Sequence, residues 1–221
     1  MPRSTNSLPR NAQADALHPD PVPVARPRLA PFEAVLPYLR RIDEARTYSN
    51  FGPLNALFEE RLAARFGFAP GCVVTCANAT VGLTLSLMAA ARPGRLCITP
   101  AWTFAATAHA ILAAGLTPYL VDVDPETGAL TPEIAAAALR NAPGEIAAVL
   151  PVAPFGAPLD ASAWEAFRAS TGVPVVWDAA AGFDALQPGG APAVVRRRRS
   201  LAANGQAFGR GARKFGGSPS R

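Results

Sequence analysis

Lysine occurs once in the 221 residues, at Lys214, histidine twice and cysteine three times. An odd number of cysteines, Cys72, Cys76 and Cys97, excludes a complete disulfide framework within the chain, and all three read as buried free thiols of a reducing compartment. His18 lies in a proline-rich arm and His109 among alanines, so neither has a partner pattern and both are read as non-catalytic. No metal site is expected. No apolar stretch stays free of charge and helix breakers long enough to span a bilayer, and MPRSTNSLPRNAQADALHPDPVPVARPR has no apolar signal core. A cytoplasmic protein that makes no membrane contact is expected.

Acids are missing from one end. Beyond residue 184 there is none, and that segment carries +8, whereas residues 1–184 carry −3. The formal net charge of +5 therefore describes a basic tail on a mildly acidic body, and does not by itself imply a nucleic-acid partner. Half of the residues are hydrophobic and 17% charged, a balance that supports a folded core.

Residues 1–30, rich in Pro, Arg, Asn and Ser, have no apolar period and are expected to be a disordered arm. PFEAVLPYLRRIDEAR, from Pro31, and PLNALFEERLAARFG, from Pro53, carry apolar residues at helical spacing, with Pro53 suited to a first turn. Thereafter strand-like runs at 72–77, 95–100, 117–124, 146–153 and 173–179 alternate with four Ala/Leu-rich helical stretches. Several of these runs are apolar throughout, as strands covered by helices on both faces are. The pattern predicts an α/β fold of three layers, α/β/α, around a mostly parallel sheet.

In such sheets ligands bind beyond the carboxyl ends of the strands. Three stretches fall there. In CANAT, Asn78 and Thr80 are good cap residues and Ala79 allows close approach, so the helix start could hold a phosphate; an ordinary capped helix would look the same. In TPAWTFAAT, Trp102 or Phe104 could stack on a flat ring, or simply pack. In VPVVWDAAAGFDA, Asp178 follows an apolar run, and a buried carboxylate needs a cationic or hydrogen-bonding partner, such as a protonated ring nitrogen or the turn that follows.

Taken in order, TYSNFGPLNALFEERLAARFG, ITPAWTFAATAHAILAAGLTPYLVDVDPETGAL, PVAPFGAPLD and VPVVWDAAAGFDA resemble the DegT/DnrJ/StrS-type sugar aminotransferases over about Pro31 to Val195. The resemblance implies the large domain of a fold type I, pyridoxal 5′-phosphate-dependent transferase. It implies a nucleotide-linked keto-sugar as acceptor, an amino-acid donor, and a homodimer. By position, Asn78, Ala79 and Thr80 match the family's phosphate turn, Phe104 its ring-stacking aromatic, and Asp178 the acid facing the pyridine nitrogen. Tyr48, Ser49 and Asn50 match a loop near the sugar. Ala181 stands where the family often has His or Gln near the cofactor's phenolic oxygen, and its methyl group cannot polarise the ring.

The family also uses a lysine, in a segment like SLHATK, that binds the cofactor covalently. Here PAVV, at 192–195, looks like the strand leading to it, but four arginines follow, and Gly205 in SLAANG occupies the lysine's place. Lys214 comes late, in GARKFGGSPSR, and is not favoured as the catalytic residue. In a GC-rich gene, valine codons GTC read out of frame become CGT, arginine. A truncation or shifted frame after Val195 accounts for the arginines and for the loss of acids together; a solvated charge run and a nucleic-acid patch are the competing readings. The expected organisation is a disordered arm at 1–30, a partial large domain at 31–195 and a basic, disordered tail at 196–221. Two other functions stay open, a non-catalytic cofactor-binding fragment or paralogue and a basic-tailed interaction protein.

Overall fold

A computed structural model describes residues 29–49 and 51–183, so expectations about the N-terminal arm, Asn50, the arginine run and Lys214 lie outside the described residues. The chain divides into two units, the first ending at Leu54 and the second beginning at Asn55. The first contains helix α1, Phe32–Ala45, which starts after Pro31 and stops where Arg46 turns left-handed, with φ 48°. No α1 residue is buried.

Helix α2, Pro53–Phe66, crosses the division, and Pro53 opens it as expected, because the first turn does not need the missing N–H. The second unit then builds the sheet. Helix α3, Ala79–Ala90, precedes strand β1, Leu96–Pro100. Helix α4, Ala105–Ala113, leads to strand β2, Thr117–Val121. Helix α5, Pro132–Arg140, leads to strand β3, Ile146–Val149, and helix α6, Ala161–Thr171, leads to an extended segment ending at Asp178. The strands are parallel in the order β2-β1-β3.

The segment at 173–178 runs parallel beside β3 and its extension, but touches it only through bridges at Val149–Val175 and Val152–Asp178. Proline explains the broken ladder. Pro151 has no N–H to donate, so the pairing resumes only where Asp178 N–H reaches the Pro151 carbonyl at 2.9 Å and Ala153 N–H reaches the Asp178 carbonyl at 2.8 Å.

Two apolar layers enclose the sheet. On one face α3 and α4 pack Leu83, Leu87, Ala110 and Ile111 against Cys97, Ala148, Leu150 and Val176. On the other, α5 and α6 pack Ala135, Ala138, Trp164 and Phe167 against Ile98, Ile146, Val149 and Val173. Ile146 and Val149 share a face although strand side chains alternate, because the register slips between Leu96 and Cys97 and leaves Ala147 as the extra residue. The three-layer architecture expected from the sequence is the one observed. Its apolar runs have the anticipated meaning in β1 and β3, whereas β2, at the sheet edge among the described residues, is only half covered.

One expected strand is absent. Residues 72–77 form no strand and join no ladder among the described residues, and Val74 is 79% exposed. An apolar β-rich run becomes a strand only if a neighbour accepts its backbone hydrogen bonds. Here the Thr75 N–H instead reaches the Glu59 carboxylate on α2, at 2.7 Å.

Candidate cofactor-binding site

The site is built at one edge of the sheet. Phe104 caps α4 just beyond the end of β1, and Asp178 ends the extended segment beside β3, so both stand at the carboxyl ends of parallel strands. Helix α3 runs the opposite way to the strands. Its exit residue Arg92 bonds the start of β3, through its N–H to the Ala147 carbonyl at 3.1 Å and its Nε to the Ile146 carbonyl at 2.9 Å. A helix of 12 residues covers about 18 Å at 1.5 Å per residue, so the start of α3 lies towards the same edge as Phe104 and Asp178.

At that start, Asn78 Oδ1 accepts the Val81 N–H at 3.0 Å and the Asn78 carbonyl accepts the Gly82 N–H at 3.1 Å. The cap thereby orients the first turn and leaves the N–H groups of Ala79 and Thr80 without an acceptor among the described residues. These are two free donors at the positive end of a helix, the chemistry of an anion site. Thr75 steadies the approach, since its hydroxyl lies 2.8 Å from both Glu59 Oε1 and Asn55 Oδ1. Cys76 Sγ bonds the Asn78 carbonyl at 3.2 Å.

The two aromatics expected at this edge have different surroundings. Trp102 pairs with Phe155, with ring centroids 6.4 Å apart, and lies against Gly128. Phe104 is 80% exposed and free to cover a planar ligand.

Asp178 is buried. Its Oδ2 accepts the Thr107 hydroxyl at 2.9 Å, and its Oδ1 accepts the Ala180 N–H at 3.2 Å. Among the described residues no cation pairs with it. A carboxylate held at both oxygens by neutral donors still has lone pairs to offer, and a protonated ring nitrogen is a partner of the right charge and shape. Composition alone did not reveal Thr107. The signal was a threonine one helical turn after Phe104 in a helix otherwise rich in alanine.

Ala181 is exposed, and its carbonyl passes so close to Gly156 that a Cβ there would come within 2.6 Å of it. The φ of +84° at Gly156 is likewise one that glycine adopts at little cost. The turn in APFGAP therefore shapes the loop after Asp178. Tyr48 and Ser49 are exposed in the first unit, where the Tyr48 hydroxyl donates to Asp43 Oδ1 at 2.9 Å, a bond that raises the phenol's pKa. His109 is exposed in α4. No group of His, Cys, Asp and Glu able to hold a metal occurs among the described residues, nor is any helix there long and apolar enough to cross a membrane.

The parallel sheet between helix layers is the fold of the pyridoxal-phosphate-dependent, fold type I aminotransferases that this chain resembles in structure. The chain belongs to the DegT/DnrJ/EryC1/StrS aminotransferase family, whose profile matches residues 33–199. It is 37% identical over 139 residues to the UDP-2-acetamido-2-deoxy-3-oxo-D-glucuronate aminotransferase of Pseudomonas aeruginosa, covering 62% of this chain and 37% of that protein. The crystal structure of DesI, determined in the presence of its TDP-sugar product, superposes with a TM-score of 0.62 at 36% identity, covering 73% of this chain and 40% of that one. NtdA from Bacillus subtilis, solved with the cofactor PMP bound, gives a TM-score of 0.57 at 27% identity, covering 67% and 34%. The chain spans less than half the length of the curated relatives it matches.

Proposed function

We propose that this chain forms the cofactor-binding part of an enzyme that moves an amino group from an amino acid to a nucleotide-linked keto-sugar. The observation that carries this reading is the buried Asp178, without a cationic partner among the described residues, on the sheet edge that also carries the free N–H groups of Ala79 and Thr80. Pyridoxal 5′-phosphate fits that pair of stations, since one end is anionic and the other a basic nitrogen. Its phosphate would take the α3 N-terminus at Asn78, Ala79 and Thr80, Phe104 would cover one face, and Asp178 would hold the proton on the ring nitrogen. Ala181 would stand near the phenolic oxygen and supply only a methyl group.

When bound, the cofactor supplies an electron sink for the α-carbon of an amino acid and carries nitrogen between donor and acceptor. The chain's own contribution is electrostatic. The buried Asp178 side chain would favour a proton on a neighbouring ring nitrogen, and the free N–H groups in the first turn of α3 would stabilise a phosphate without a lysine or arginine.

A nucleotide-linked sugar as acceptor is supported by relatives named for UDP- and dTDP-linked sugars. Tyr48, Ser49 and Asn50 are candidates for holding it on the resemblance alone. A homodimer in the cytoplasm is the expected setting. A second reading, a chain that binds the cofactor without covalent attachment, is motivated by the isolation of Lys214 as the single lysine.

Pyridoxal phosphate added to the purified chain should bind in a saturable way, and Asp178→Asn should weaken binding about tenfold, the equivalent of one charge-assisted hydrogen bond. Equal affinity of the two proteins would remove the basis of the proposal. Borohydride fixation of label at Lys214 separates the two readings, and amino transfer from glutamate to a UDP-linked 3-keto-sugar tests the full reaction.

A further inference from the structure

Asp178 is fixed from α4, an element it does not belong to. Its Oδ2 accepts the Thr107 hydroxyl at 2.9 Å, and the Thr107 oxygen in turn lies 2.7 Å from the Thr103 hydroxyl. Either threonine could donate to the other on distance alone. A hydroxyl has one proton, however, so if Thr107 donates to a carboxylate, Thr103 must donate to Thr107. The chain of donors then runs in one direction, from the half-buried Thr103 through the buried Thr107 to the acid. Both threonines belong to the start of α4: Thr107 lies in its first turn, and Phe104 between them is the cap residue, which has no capping side-chain bond.

We propose that the Thr103–Thr107 hydroxyl pair is a positioning device for Asp178, which aims the carboxylate at the ring nitrogen of the cofactor. This rests on the cofactor reading above. Thr107 Oγ1 and the Ala180 N–H each occupy one lone-pair direction, one on each oxygen, so the carboxylate plane is fixed and the remaining lone pairs keep a constant heading. Valine at 107 would preserve the shape of the side chain, remove the donor, and leave Oδ2 buried without its partner. The same helix start presents Phe104, so the ring-covering aromatic and the acid's anchor are set by one rigid element.

The test measures affinity of the full chain for pyridoxamine 5′-phosphate, whose amine cannot condense with a lysine, and for its 1-deaza analogue, in which carbon replaces the ring nitrogen. The ratio of the two affinities reports the bond from Asp178 to the nitrogen and is insensitive to a merely structural defect, which weakens both ligands alike. The wild type should prefer the nitrogen-containing compound, and Asp178→Asn should abolish the preference. Thr107→Val should lower the ratio about tenfold, and Thr107→Ser, which keeps the hydroxyl, should restore it. An unchanged ratio in Thr107→Val, or one that Thr107→Ser fails to restore, overturns the proposal while the cofactor site stands. A wild type that binds neither compound, or an Asp178→Asn variant that keeps the preference, overturns the cofactor reading and this proposal with it. Should Thr107→Val fail to fold, Thr103→Val decides, with about a threefold loss of the ratio expected and an unchanged ratio refuting the pair.

Discussion

The three thiols differ in access to solvent, the property that governs their chemistry. Cys97 has no exposed surface and burial pushes its pKa up to about 12, so it stays a neutral thiol that acts as a small apolar residue between α3, α4 and the sheet. Cys72 and Cys76 are exposed, contrary to the expectation that all three are buried, because the run that carries them joins no ladder among the described residues. A thiol reagent near neutral pH should therefore modify two cysteines in the native protein and the third only after denaturation; rapid native modification of Cys97 would contradict its placement. Glu59 shows the opposite effect, since donation from the Thr75 N–H and then from its hydroxyl holds its carboxyl below the usual 4.5. A lowered carboxylate pKa contributes stability that is full above the unfolded value and disappears as pH falls through the folded value. Glu59→Gln should thus lower stability slightly near neutral pH, and the difference from wild type should close as pH falls below the usual carboxylate range, both read by urea unfolding. Asp178 could be singled out in the sequence because an acid after an apolar run is conspicuous. Its partner Thr107 could not, being 71 positions away and recognisable only once the helix and the extended segment are side by side.

Helices were more legible than strands because their signals are local. Asn78, Thr131 and Asp160 each cap a helix through their own side chains, and Pro53 and Pro132 sit where a first turn tolerates them. Strand assignment depends on neighbours, which is why residues 72–77 and 173–178 departed from expectation, one lacking a partner among the described residues and the other having its ladder interrupted at Pro151. The turn at Pro154–Gly156 supplies a test of how elements shape the site. Gly156→Ala should destabilise the protein by about 1–3 kcal/mol, because φ is positive there and the new methyl group would meet the Ala181 carbonyl. The loop after Asp178 would have to shift to relieve it, so cofactor affinity should fall together with the melting temperature. Loss of stability with unchanged affinity would show that the turn does not shape the site.

Ligand linkage offers the broadest test of the molecule as a whole. At a free pyridoxal phosphate concentration one hundred times its Kd, a folded state that alone binds the cofactor gains about 2.7 kcal/mol, which for a chain of this size raises Tm by about 5–10 °C. Calorimetry with and without the cofactor measures that shift, and Asp178→Asn should reduce it. Alternation of apolar runs with helical stretches was enough to imply a parallel sheet between helix layers, because burial on both faces leaves its mark on composition. The order of cap, aromatic and acid along the chain was enough to suggest the family, whose profile matches residues 33–199. Which aromatic is free, which hydroxyl anchors the acid and which apolar run finds a partner all depend on side chains far apart in the chain. Those outcomes follow from distance and competition in space, and hydrogen bonds between remote segments exist only after the layers have packed.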